Sequence, residues 1–589
     1  MRQPRWAWTT LTLAILGAGG CGESGVSDAG PRPWSLEPSI LQAGEGVTFC
    51  EEAMARVDAF MSRFDGQIPP SDQYGGSAPA GTPNEMPGLN AHVVSENTSI
   101  QYQIFINLMT LVRYDEDQNP QPYLAESWEL SGDNSEITFH IRDDVYWHDG
   151  ELTDAYDVAY TFQRATDPET GFQNSGWWTY VETGPDALKV IDAFTIRFRM
   201  TPHADFMGTW TMLAIMPQHL LEDVPAAELR THPYGTVCPV GNGPFIFTEH
   251  RQNASWAFQA NPAFPDGLGG RPYLDRYVYR ILPEQTTLLT ELLTENLDAY
   301  IQPTPDQAEA IYDSDAVDLK RFPGRGYVFV AWNSRRPQLA DKRVRMAITK
   351  GIDREEIVAG LLGEYAVVSN GTVPPYHRLY DGSLGVEEMA YDPDVARALL
   401  DAAGWIDRDE DGVRENREGV RLSLTIKFHA NLSRRAVALV MQAQLAKIGI
   451  EIIPTEVEWT TLVGQFQNPA IRDFDGVVLS WDTDFRLDDT VLFHSDHVDG
   501  PNAFSGTRRS DIDEALERLP LMGPDEEKAG WDAYQELLID EQPFTFVYQP
   551  DRLVGVNKRV RGVVMDIRGQ WLNVKDWWIP SDERRGGSR

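Results

Sequence analysis

Residues 137–164, ITFHIRDDVYWHDGELTDAYDVAYTFQR, decide how this chain folds. Ile137, Phe139 and Ile141 fall on one side of an alternating pattern, which predicts a strand with one face on a core. Asp149-Gly150 is turn chemistry, because both residues tolerate the backbone angles of a tight reversal. Thr153 or Asp154 stands where a helix needs a side-chain oxygen for its first unpaired N–H groups. Val158 and Phe162 then follow one helical turn apart. Strand, turn and amphipathic helix within so short a span predict an α/β fold.

The same pattern extends outward from about residue 90 to 575, with no internal repeat. Alternation returns at Phe544, Phe546 and Tyr548. Residues 433–448 carry Val437, Met441, Leu445 and Ile448 at helical spacing. Residues 50–64, CEEAMARVDAFMSRF, have spacing compatible with a further helix, set apart by a Pro/Gly-rich stretch at about 66–90. Residues 75–83, GGSAPAGTP, read as poor strand material.

A chain of 589 residues exceeds one typical core and points to two or three domains. Its 51 basic and 89 acidic residues give a net charge of -38. Such a surface repels nucleic acid and anionic lipid, so no nucleic-acid partner is expected. Met1 to Trp6 carry Arg2 and Arg5, and an apolar run from Ala7 to Leu16 follows, the length of a signal-peptide core. Gly17, Ala18, Gly19 and Gly20 then lead into Cys21. Small residues before a cysteine resemble a bacterial lipoprotein cleavage site, although Ala18 stands where Leu is usual. The resemblance implies a signal peptide over 1–20 and a lipid on Cys21. Residues 22 to about 40, rich in Gly, Ser, Pro and Asp, read as a tether. Cys50 and Cys238 remain, in a compartment that permits disulfides; whether they pair is left open by the sequence.

Several ordered segments resemble the family 5 solute-binding proteins of ABC importers, the oligopeptide, dipeptide and nickel group. They begin with Pro122-Tyr-Leu-Ala-Glu-Ser-Trp128 and the strand–turn–helix at 137–164. They continue with Val240-Gly-Asn-Gly-Pro-Phe245, Gly270-Arg-Pro-Tyr-Leu-Asp275, Trp332-Asn333, Asp341-Lys-Arg-Val-Arg-Met-Ala-Ile348 and Phe474-Asp-Gly-Val-Val-Leu-Ser-Trp481. The resemblance covers about residues 75 to 575. It implies a two-lobed periplasmic-binding-protein-like fold, type II, with an inserted subdomain and a ligand cleft between lobes. Lobe I would comprise 75–99, 184–325 and 543–580, the insertion 100–183, and lobe II 326–542, with 21–74 a lipid-anchored tether and small appendage. The implied partners are a short peptide, the subunits of an ABC permease, and the membrane through the lipid anchor; the protein is expected to be a monomer.

The family's peptide binders carry a tryptophan and, three residues on, an aspartate that binds the peptide α-ammonium; by position these are Trp481 and Asp484. A buried carboxylate facing an ammonium makes a charge-assisted bond and selects for a free N-terminus. Arg486 is a candidate partner for a ligand carboxylate, and Trp332 a candidate wall. Asp407, Asp409, Asp411 and Glu418 fit the spacing of a calcium loop around Gly412, but the alternating residues after Gly419 predict a strand, so a solvated turn competes with a calcium site. No other metal and no cofactor is expected. The chain lacks GxxxxGK[ST], HExxH and GxSxG, so no phosphate loop, zincin helix or hydrolase elbow supports an enzyme. The competing readings are an oligosaccharide or metal chelate in the same cleft, a secreted glycoside hydrolase, and a ligand-sensing receptor.

Overall fold

The computed structural model describes residues 45–585, apart from 68–70, 95, 173–177, 179, 185, 204–205, 430–431, 469–470, 484 and 486. The leader, Cys21 and the tether therefore lie outside the described residues, as do Asp484 and Arg486. Among the described residues no helix is long and apolar enough to cross a membrane.

Two α/β lobes are built on sheets that share one strand, Phe544–Asn557. Its residues 544–548 pair with Gly326–Trp332, and the sheet continues through Gly476–Asp482, Ser423–His429 and Glu451–Val457 as lobe II. Its residues 551–557 pair with Val317–Pro323, and the sheet continues through Ala299–Ile301, Ser77–Thr82, Arg276–Ile281, Ser255–Ala260 and Phe245–Arg251 as lobe I. The expected boundary at 543 is thus displaced into the strand. Both faces of this strand are buried for most of its length, so Phe544, Phe546 and Tyr548 do not mark a strand with a solvated face. The other crossing is the short link from Pro323 to Gly326. The two crossings lie against each other: the Gly324 N–H donates to the Pro550 carbonyl at 3.2 Å, and a Cβ on Gly324 would collide with that carbonyl. Adjacent crossings of this kind let two lobes rotate about one short line.

The strand–turn–helix region forms as the spacing predicts. Glu136–Ile141 buries Ile137, Phe139 and Ile141, and the helix Ala155–Thr166 follows. Asp154 is the cap, not Thr153: its carboxylate accepts from the Tyr156 and Asp157 N–H groups, and Asp157 answers in a capping box. Glu136–Ile141 is the second strand of a four-stranded antiparallel sheet with Ala125–Leu130, Thr195–Arg199 and Leu188–Asp192. The insertion therefore does not end at 183. It runs through Arg199, and its core takes in Met207, Trp210 and Leu221. Pairing between distant strands leaves no local mark, which is why the boundary was misplaced.

Ser77–Thr82 is a second correction. The poor strand material is a strand in the middle of lobe I, parallel to Arg276–Ile281 and to Ala299–Ile301. Its small residues are what the position requires. A Cβ on Gly81 would collide with Leu297 and Leu288, so only glycine lets the helix Gln285–Leu293 lie this close. Helix Leu432–Ala446 matches its predicted periodicity, with Val437, Met441 and Leu445 fully buried.

The N-terminal helix Glu45–Met61 is no loose appendage. Cys50 bonds Cys238, with Cα atoms 5.5 Å apart. Met54, Val57 and Phe60 are buried, and Arg56 reaches Asp149 at 2.9 Å.

Candidate ligand cleft

Lobe II reaches the cleft through the loop after Gly476–Asp482. Antiparallel pairing sets Trp481 opposite Tyr327 and Asp482 opposite Gly326, so the loop leaves the sheet beside the hinge. It is held there by hydrogen bonds of both its side chains and its backbone. Thr483 Oγ1 donates to the Arg325 carbonyl at 2.6 Å and lies 2.9 Å from the Tyr376 hydroxyl. His377 Nε2 lies 3.1 Å from the Phe485 carbonyl oxygen. Burial holds the His377 imidazolium at a pKa of about 4, so at neutral pH the ring is uncharged and Nε2–H is the donor. These anchors present Phe485 edge-on to Tyr114 of the inserted subdomain, with centroids 5.1 Å apart. The Arg325 guanidinium lies over the Phe485 ring at 5.6 Å.

Beyond Phe485 lies a cavity that is partly open to solvent. Its walls are apolar at Ile104, Phe105, Met212 and Leu572, and basic at Arg113, Arg325, Arg568 and Lys575. Lobe I and its insertion supply most of the lining, lobe II supplies Phe485, and the hinge supplies Arg325. Besides the Tyr114–Phe485 packing and an Arg321–Glu364 ion pair at 2.9 Å, polar contacts among the described residues tie the lobes together. Asn97 donates to Asp482 at 3.2 Å, Arg552 approaches Asp482 at 3.6 Å, and Gln118 donates to the Tyr376 carbonyl at 3.4 Å.

The predicted site residues separate on this geometry. Trp332 is fully buried, and its indole N–H donates to Thr545 at 2.9 Å within the core of lobe II. It is a core residue and not a cleft wall, a correction whose cause is the pleat: the strand Gly326–Trp332 is buried on both faces. Trp481 is half-buried against the lobe II core and does not line the cavity. Asp484 and Arg486 flank Phe485 in sequence but lie outside the described residues. Asp482 faces the seam between lobes. Sequence reasoning missed Phe485, though it sits between two residues already singled out. It also missed Arg113, Arg325, Arg568 and Lys575, which are scattered along the chain and carry no motif.

The acidic loop is arranged differently from its spacing. Asp407 and Asp409 come within 4.8 Å of Glu415, not of Glu418. Asp411 is taken by Arg421, and the Asp407 carboxylate accepts the Gly412 N–H at 3.0 Å. The strand Ser423–His429 follows, as the alternation predicts, so the loop lacks the second helix of an EF-hand.

Two α/β lobes joined by adjacent crossings, with a cavity where the lobes meet, define a two-lobed solute-binding protein. The model of the bacterial extracellular solute-binding proteins, family 5 Middle, matches residues 119–502, and the chain belongs to that family. It is similar to the oligopeptide-binding protein AppA of Bacillus subtilis (strain 168), 27% identical over 518 residues, 86% of this chain and 92% of that protein. It is also similar to the dipeptide-binding protein of Escherichia coli K12, 24% identical over 469 residues, 76% of this chain and 84% of that one. The solved structure of Bacillus subtilis AppA in complex with a nonapeptide superposes with a TM-score of 0.76 at 25% identity, covering 86% of this chain and 99% of that one.

Proposed function

We propose that this protein captures short peptides in the interlobe cleft and delivers them, unmodified, to the permease of an ABC importer. It would act outside the cytoplasm, tethered by lipid on Cys21. The observation that carries the reading is the position of the cavity: it is walled by both lobes and by the hinge, so a ligand there touches every part that moves. Ligand favours closure only through contacts it gains in the closed state, and Phe485 and Arg325 supply such contacts. The permease would then read the closed form. The similarity to oligopeptide- and dipeptide-binding proteins supports peptide as the ligand.

In this reading Asp484, next to Phe485, holds the peptide ammonium, and Trp481 stiffens the loop that carries it. Asp484→Ala should weaken peptide binding by more than about 2 kcal/mol, as for an unpaired buried charge; unchanged affinity would remove Asp484 from the site. Native mass spectrometry of the gently purified protein tests the function itself. A ladder of masses fitting peptides of a few residues supports it, and intact peptide after prolonged incubation separates binding from hydrolysis. A single saccharide or metal-chelate mass would overturn the peptide assignment.

A further inference from the structure

The cleft is electrostatically opposite to the protein that contains it. The chain carries 89 acidic and 51 basic residues, so a surface drawn at random from it holds more acids than bases. Among the described residues the cavity is lined by Arg113, Arg325, Arg568 and Lys575, and by no aspartate or glutamate. These cations come from four separate places: the ribbon strand Val112–Tyr114, the hinge, and two turns after the bridging strand.

Arg568 and Lys575 are each paired with an acid that is not part of the cavity lining, whereas Arg113 and Arg325 rest on rings that are. Arg568 forms a two-point pair with Asp566, the shorter contact 2.5 Å, and donates to the Tyr114 carbonyl at 3.2 Å. Lys575 pairs with Asp576 at 2.5 Å. Those two acids fix the positions of the cations. Arg113 is held otherwise. Its guanidinium lies over the Tyr123 ring at 5.1 Å, and among the described residues it makes no ion pair. Arg325 likewise lies over Phe485. A guanidinium held by a ring rather than by an acid, as at Arg113, keeps N–H groups that can grip a carboxylate at two points.

We propose that the cleft is selective for acidic peptides, those carrying an aspartate or glutamate side chain besides the terminal carboxylate. The inference rests on the peptide reading above and adds the chemistry of the cargo. The overall charge of -38 repels anions at long range, whereas low-dielectric walls strengthen the local attraction. Selection therefore acts at contact. It is also coupled to closure. Arg113, Arg568 and Lys575 belong to lobe I and its insertion, while Arg325 sits at the hinge against Phe485 of lobe II. A ligand held by the lobe I cations gains its contact with Phe485 of lobe II only when the lobes close. A basic peptide in the same cavity would bring like charges together and oppose closure.

Calorimetric titration of the full chain in detergent, stripped of retained cargo, tests this. The probes are three sets of alanine tetrapeptides carrying Glu, Gln or Lys in turn at each position. The expected result is a Glu peptide binding at least tenfold tighter than its Gln counterpart at one or more positions, with Lys weakest. That advantage should shrink between 50 and 500 mM salt, in line with the shortening of the screening length from about 10 Å at 0.1 M to about 3 Å at 1 M. Arg113→Gln should pull the Glu-to-Gln ratio toward unity, and Arg113→Lys, which keeps the charge, should retain most of it. Equal binding of all three sets would overturn the acidic preference and leave the peptide reading intact. Binding of none would overturn both. Glutarate or inorganic phosphate binding as tightly as the best Glu peptide would assign the cations to a free anion and overturn the proposal.

Discussion

The inside of lobe I and the seam between the lobes are held by different kinds of contact. Within lobe I, Cys50 and Cys238 are covalently joined across a sequence separation of 188. Arg559, just past the bridging strand, meets Asp298 through two bonds of 2.6 Å with almost no exposure of either side chain. Across the seam, Asp482, with 41% of its side chain exposed, shares Asn97 and Arg552, and Gln118 reaches a carbonyl. Buried and covalent contacts fix a shape; solvated polar contacts can be exchanged for water with little change in free energy. The molecule is rigid where it must frame the cleft and weakly joined where it must open.

Arg559→Met tests the rigid side most severely. It leaves Asp298 buried without a cation, and the unfolding free energy in urea should fall by about 3–5 kcal/mol. A loss under about 1 kcal/mol would show that water replaces the guanidinium and that the pair is no framework contact.

The staple comes next. Cys50→Ser, or reduction of the wild type, should lower unfolding stability by about 2–5 kcal/mol, because it frees a long closed loop in the unfolded chain. Peptide affinity of the folded variant should change little, since the helix Glu45–Met61 contributes nothing to the cavity lining. A large loss of affinity with little loss of stability would reverse that assignment.

What the sequence made legible follows the same division. Ile137 to Phe162 could be read because cap, turn and periodicity are local, and the structure chooses Asp154 from the two cap candidates. The calcium-like spacing at 407–418 was legible as a turn before a strand, but which acids converge depends on Arg421, ten residues beyond Asp411. Ser77–Thr82 was illegible because its merit is the room it leaves for Leu288 and Leu297, which only packing reveals. Trp332 stood open between wall and core packing, the preferred reading, because an aromatic at the end of an apolar strand looks the same whether it meets core or ligand. The cleft cations were invisible for a topological reason: Arg113, Arg325, Arg568 and Lys575 meet only after two lobes and an insertion have been assembled.

A titrating group lies beneath the cleft loop on the lobe II side. Asp489 is buried, and burial pushes its pKa up to about 7 despite hydrogen bonds from Thr372 at 2.5 Å and Tyr534 at 3.1 Å. In the unfolded chain an aspartate titrates near 3.9. The folded state thus binds a proton that the unfolded state has released between about pH 4 and pH 7, so this group's contribution to stability is full below that window and is lost as pH rises through it. Urea midpoints measured from pH 4.5 to 7.5 should show this component falling, and Asp489→Asn should remove it. An unchanged pH profile in the variant would mean that the carboxylate is ionised when buried.

The smallest effect on stability, and the sharpest on the comparison, belongs to Asn97→Ala. Asn97 lies at the start of the helix Asn97–Tyr102, where Glu96 supplies the cap, so its removal costs the helix little. Unfolding stability should shift by no more than about 0.5 kcal/mol. Besides one bond accepted from Gln101 within the helix, it removes a contact made only when Asp482 of lobe II lies against lobe I. The closed form should lose population, and apparent peptide affinity should fall by the same factor, because affinity scales with the fraction of protein that can close. Small-angle scattering of the unliganded variant would show an increased radius of gyration, returning to the wild-type value at saturating peptide. An equal radius with unchanged affinity would mean that the seam is not held by its polar contacts, and that the packing of Tyr114 against Phe485 holds the lobes together.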